Sequence, residues 1–137
     1  MSTAAKLEIH ELLGRFALGY DERDIDMLSA CFAADARFSM RVAGGDLVGP
    51  FVGREEIMKL MTDSMAEQTD VRRHVVSNII FTELSDDRAS VISNLTLFAT
   101  ENGEIQLMSA GIYRDTCARV DGTWVLAERH LDLDKAH

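Results

Sequence analysis

The chain has 137 residues, 47% hydrophobic and 27% charged, a balance that predicts one soluble globular domain spanning residues 1–137. Its formal charge of −9, from 23 acidic against 14 basic residues, excludes nucleic-acid backbones and anionic membrane surfaces as partners, since both select basic faces. No apolar run approaches the roughly 18 residues of a membrane span and the N-terminus lacks a signal-peptide core, so the expected location is the cytoplasm.

In chain order, residues 4–20 place Ile9, Leu12, Leu13, Phe16 and Tyr20 at i, i+3, i+4, i+7 and i+11, one apolar stripe of an amphipathic helix. Lys6, Glu8, Glu11 and Arg15 take the other face. The helix ends near Gly19 to Glu22, and Asp24 is placed to cap a shorter helix carrying Ile25, Leu28, Cys31 and Phe32. Residues 36–42 read as a strand, followed by the Gly44-Gly45 turn and a weak returning strand over 47–52 that contains Pro50. Beyond Gly53, Ile57, Leu60, Met61, Ser64 and Met65 recur at the helical period and predict a third helix.

From residue 73 the period changes to two. Strands are predicted over 73–84, 88–100, 104–120 and 123–133, and Asn102-Gly103 and Asp121-Gly122 are hairpin turns, because asparagine, aspartate and glycine tolerate positive φ. Helices combined with a long antiparallel meander define an α+β fold. In the last strand Val125, Ala127, Arg129, Leu131 and Leu133 share a face by alternation, and both faces look covered near Trp124, which suggests a homodimer, with a trimer as the alternative.

Two cysteines without CxxC spacing make no disulfide framework, and Cys31 fits an apolar helical pattern. His10, His74, His130 and His137 show no metal-ligand spacing, so neither a metal nor a cofactor is expected. The informative histidine is His74, in Arg72-Arg73-His74-Val75-Val76-Ser77-Asn78 at the mouth of a strand, where an imidazole can carry a proton near neutral pH. Its candidate partner is Asp21, fifty-three positions earlier, at the end of the first helix. A carboxylate bonded to one ring nitrogen fixes the tautomer and leaves the other nitrogen as a base. Taken alone, Asp21 also reads as an ordinary turn residue and His74 as a satisfied, half-buried histidine. Arg73 and His130 should face away from this point by strand alternation.

Gly19-Tyr20-Asp21, the run from Leu28 to Ala36, Gly53-Arg54-Glu55-Glu56-Ile57, Arg73-His74 with Asn78, Gly111-Ile112-Tyr113 and Asp121-Gly122-Thr123-Trp124 cover nearly the whole chain. In this order and spacing they resemble the SnoaL-like branch of the nuclear-transport-factor-like superfamily. The resemblance implies a cone-shaped α+β barrel, in which a curved antiparallel sheet wraps three N-terminal helices around a deep apolar cavity. It implies Asp21 and His74 as a catalytic pair, since Tyr20-Asp21 and His74 match residues of scytalone dehydratase, and Asp21 and His74 also match the dyad of hexachlorocyclohexane dehydrochlorinase. By the same resemblance Phe38 replaces an aromatic pocket residue and Arg129 falls on a last-strand arginine. Two departures matter: a second histidine of the dehydratase would fall near Ala99, and a lysine of the dehydrochlorinase near Phe16.

The reading that follows is a cofactor-independent lyase of the dehydratase or dehydrohalogenase type, acting on a small, largely apolar molecule. His74 would remove a proton from carbon, with Tyr20, Phe38, Arg129, Phe16 and Met61 contacting the substrate. Without a leaving group the same base gives an isomerase or cyclase, and without chemistry the cavity serves a binding or assembly subunit. Tyr20 fits either core packing or proton donation. Arg129 fits either the pocket or a buried pair with Asp21 or Glu128.

Overall fold

The computed structural model describes residues 2–136, so His137 lies outside the described residues. Helix α1 (Thr3–Asp21) begins where the Ser2 hydroxyl accepts a hydrogen bond from the Ala5 N–H at 3.0 Å. Its predicted stripe, Ile9 to Tyr20, is buried throughout. Helix α2 (Ile25–Ala30) is capped by Asp24, whose carboxylate accepts from the Met27 N–H at 3.1 Å. A Cβ on Gly19 would stand 3.0 Å from the Leu28 backbone nitrogen, so glycine is what lets the two helices approach.

Strand β1 (Phe32–Val42) starts earlier than its apolar spacing predicts, because the Cys31 carbonyl accepts from the Leu126 N–H at 2.7 Å and begins the pairing there. Strand β2 (Val48–Val52) returns antiparallel to β1, and α3 (Arg54–Ala66) follows it, the order that the sequence pattern predicts. Strands β3 (Val71–Leu84), β4 (Arg88–Glu101), β5 (Glu104–Val120) and β6 (Thr123–Leu133) form the meander. Asn102-Gly103 and Asp121-Gly122 turn with positive φ at both residues, as those pairs predict.

The sheet order is β2-β1-β6-β5-β4-β3. Every neighbouring pair is antiparallel except β1 with β6, which run parallel. The sheet is curved but does not close, since β2 and β3 remain edges. One face packs on the helices through a core that includes Ile9, Leu13, Phe32, Ile57 and Leu126.

Bulges decide which side chains reach that face. Thr116 pairs with Glu128 but Cys117 pairs with Leu126, leaving Ala127 as an extra residue in β6. Strict alternation from Val125 to Arg129 is therefore broken: Leu126 and Arg129, three apart, are both fully buried. In β3 a register shift lies between Ser77 and Ile80, where Asn78 takes a φ of 55°.

Candidate active site

Side chains from α1, β1, α3, β3, β5 and β6 meet around a small cavity of about 120 Å³. Phe16 and Tyr20 enter from α1, Phe38 and Met40 from β1, and Leu60, Met61 and Ser64 from α3. Gln68 follows α3, Arg72 and His74 come from β3, and Tyr113 and Leu131 from β5 and β6. The expected contact residues Phe16, Tyr20, Phe38 and Met61 thus share one lining with His74.

Asp21 stands behind His74. One carboxylate oxygen, Oδ2, accepts the His74 backbone N–H at 2.7 Å, and Oδ1 lies 2.5 Å from Nδ1 of the ring. Both side chains are nearly buried, at 5% and 11% exposure for Asp21 and His74. A carboxylate with no proton of its own can only accept, so Nδ1 carries the hydrogen, and in the neutral ring Nε2 then keeps its lone pair. The last turn of α1 delivers Asp21, and the inward alternation of Arg72 and His74 on β3 delivers the imidazole. The edge of the Tyr20 ring packs on His74, with ring centroids 5.0 Å apart and planes at 64°.

Tyr20 and Gln68 hydrogen-bond to each other through the phenol oxygen and the side-chain amide, at 2.9 and 3.2 Å. Burial raises the Tyr20 pKa above its ordinary value, so the phenol stays neutral. The Arg23 guanidinium donates to the Gln68 carbonyl at 2.8 Å and fixes the loop after α3 against the end of α1.

Arg129 differs from expectation. It forms an ion pair with neither Asp21 nor Glu128 and is absent from the lining. Instead it is fully buried and pairs with Asp115 through Nε and Nη2, at 2.8 and 3.0 Å. Its guanidinium lies between two aromatic faces, 3.6 Å from the Tyr113 centroid and 4.3 Å from that of Phe16. Burial opposes the charge, but Asp115, Tyr113 and Cys117 together outweigh it and hold the Arg129 pKa above its ordinary value. Arg129 is thus the support beneath the pocket wall. The bulge at Ala127 sets the register that puts Arg129 opposite Asp115 of β5, while its guanidinium stacks on Phe16 of α1.

Arg73 does point away from His74 and meets Glu22 at 3.5 Å. His130 faces outward and contacts Ser39 and Asp132. Sequence reasoning missed Tyr113, Asp115, Arg72 and Gln68. Alternation of Gly111, Tyr113, Asp115 and Cys117 on one strand face was the available signal for the first two. Arg72 is buried against Asp70 at 2.8 Å and shares the His74 face by the same rule. Among the described residues, no group of three or more His, Cys, Asp or Glu side chains could hold a metal ion.

Such an arrangement defines a class: an open α+β cone with a single-ring-sized apolar pocket and a carboxylate-held imidazole in its wall. The SnoaL-like domain family model matches residues 1–130, and the chain belongs to that family. No curated protein matches it. Among solved structures, a protein of unknown function with a cystatin-like fold from Nostoc punctiforme is 25% identical. That alignment covers 98% of this chain and 94% of the other with a TM-score of 0.80. A candidate scytalone dehydratase from Novosphingobium aromaticivorans is 23% identical over 95% of this chain and 84% of its own, with a TM-score of 0.77. The beta subunit of a candidate aromatic-ring-hydroxylating dioxygenase from the same organism is 18% identical over 98% and 92%, with a TM-score of 0.82. The last two show a shared fold alone.

Proposed function

We propose that this protein is a cofactor-independent enzyme that removes a proton from carbon in a small, largely apolar molecule, with His74 as the base and Asp21 as the group that holds it. The observation carrying this reading is the double hydrogen bond from one buried carboxylate to the His74 ring and backbone, with Nε2 left free at an apolar cavity. Burying an ionisable pair costs stability that a plain apolar pocket has no reason to spend. Where the adjacent carbon bears hydroxide or halide, abstraction ends in an alkene, and the enzyme is a lyase. Where it bears none, the same step ends in a shifted double bond, the isomerase reading.

Two measurements test it. Long-range proton–nitrogen NMR of His74 should show the Nδ1–H tautomer, and Asp21→Asn should shift it toward Nε2–H, since an amide N–H would then face Nδ1. Incubating single-ring alcohols, halides and ketones with the protein in D2O should give alkene or deuterium incorporation that His74→Ala abolishes. Turnover unchanged in His74→Ala would sink the proposal.

A binding or assembly role is the second reading, favoured by the fold shared with a dioxygenase beta subunit. For the assembled state we propose a homodimer through the outer sheet face, where Val71 and Ile105 stand in one row across β3, β4 and β5 and both are exposed, with Val75 and Leu107 exposed nearby. Light scattering after gel filtration should return twice the chain mass, and Leu107→Lys should return the monomer.

A further inference from the structure

We propose that the outer sheet face carries a second reactive centre, which takes an acyl group from a small ester. Ser39 is its nucleophile, His130 its base and Asp132 the residue that positions the base. It is separate from the pocket and does not depend on the chemistry proposed there.

Strand pairing assembles the centre. Ser39 of β1, His130 of β6 and Arg114 of β5 stand opposite one another in one row across three strands. All three point away from the helices, since their neighbours Phe38, Arg129 and Tyr113 are buried on the inner face. The Ser39 Oγ lies 2.7 Å from Nδ1 of His130. Nε2 lies 3.0 Å from Oδ1 of Asp132, two residues further along the same strand face. A carboxylate can only accept, so Nε2 carries the hydrogen, and in the neutral ring Nδ1 keeps the lone pair that receives the Ser39 O–H. Arg114 donates to the other oxygen of Asp132 at 2.6 Å and fixes the carboxylate in turn. At His74 the free nitrogen meets a cavity, whereas at His130 it meets a hydroxyl. A hydroxyl bonded to a base that a carboxylate orients is the arrangement that activates serine for attack.

The centre is open to a ligand. The His130 side chain is 24% exposed and borders a groove of about 350 Å³ lined in part by Thr82, Ser90, Ile92, Thr116 and Glu128. Arg114 stands nine positions along β5 from Ile105, about 30 Å at the rise of a strand, so a dimer contact around Ile105 leaves it uncovered. In the reaction, the Ser39 Oγ bonds to the ester carbonyl carbon as its proton passes to Nδ1. The bond to the leaving alkoxide then breaks, and the alkoxide takes that proton. Water deprotonated by the same nitrogen displaces Oγ and releases the acid. Arg37 and Arg41 flank Ser39 on its strand face by alternation, and Arg37 is exposed. Their positive charge favours the negative charge that develops on the carbonyl oxygen.

Incubation with p-nitrophenyl acetate tests this. Wild type should release nitrophenolate above the buffer rate, and peptide mapping of the quenched protein should place an acetyl group on Ser39. Ser39→Ala should abolish that release, and His130→Gln should slow it by about 10²-fold or more. Long-range proton–nitrogen NMR should show His130 as the Nε2–H tautomer. Asp132→Asn should move that tautomer balance and slow the release together, which a merely structural carboxylate would not do. Release that survives in Ser39→Ala overturns the proposal, as does an acetyl group mapped to other residues alone. No release above the buffer rate, or a wild-type His130 with its hydrogen on Nδ1, overturns it equally, because Nδ1 could not then take the serine proton.

Discussion

At the scale of single residues, two buried carboxylates behave differently because their partners differ. Asp21 satisfies a backbone N–H and an imidazole, so Asp21→Asn keeps an acceptor for one of them and puts an amide donor beside the other. The fold should survive, while the imidazole loses the partner that sets its tautomer. Proton abstraction should drop by about 10² or more, with binding of a neutral ligand unchanged. A variant as fast as wild type would show that the carboxylate only packs. Asp115 faces a full positive charge, and the pair is sealed from water. Arg129→Met leaves that carboxylate buried alone and should cost about 3–5 kcal/mol in urea unfolding. Replacing both residues, as Asp115→Leu with Arg129→Met, should recover much of the loss, because two apolar groups need no counter-charge. If the double variant is as unstable as the single one, the pair is holding something besides itself.

At the scale of elements, the helices were the most legible part of the chain. A stripe at 3.6 spacing has one way to bury itself, and α1 and α3 bury the residues their spacing names. The hairpins were legible because Asn102-Gly103 and Asp121-Gly122 accept a backbone that few other pairs accept. Bulges were not. Ala127 is an ordinary strand residue, and nothing in its chemistry announces that pairing skips it, so the sequence could not show Arg129 turning toward Asp115. The same limit hid Tyr113: its motif was visible, but a role in the pocket depends on which face the bulged strands present. Asp21 and His74 were found together by resemblance, since fifty-three residues of separation carry no distance information. Gly111 tests the strand geometry directly. A Cβ there would collide with the Asp132 carbonyl of β6, a backbone atom that cannot swing aside. Gly111→Ala should therefore destabilise by about 1–3 kcal/mol, the usual cost of overpacking. A melting temperature equal to wild type would mean that β5 and β6 separate more easily than their pairing implies.

At the scale of the whole molecule, the closed core ties stability to alkaline pH through groups far from the pocket base. Burial pushes the Cys31 thiol up to about 11 and Cys117 up to about 12, from an ordinary 9.0, and Tyr113 up to about 12 from 10.0. The sign follows from proton counting. Below about pH 8 folded and unfolded chains both hold these protons, and the groups contribute nothing to the slope. Above that, the unfolded chain releases its thiol protons first and its phenol protons next, while the folded chain keeps them. The native state then binds more protons than the unfolded state, so stability falls as pH rises, by at most about 1.4 kcal/mol per pH unit for each group. Urea unfolding should give a plateau from neutral pH to about pH 8 and a progressive loss toward about pH 11. Cys117→Ala should flatten the slope, because Cys117 is fully buried with the larger thiol shift. It should also leave one thiol that resists a disulfide reagent until the chain unfolds, since a neutral buried thiol is a poor nucleophile. A stability that stays level through pH 10 would mean that the core around β5 admits water.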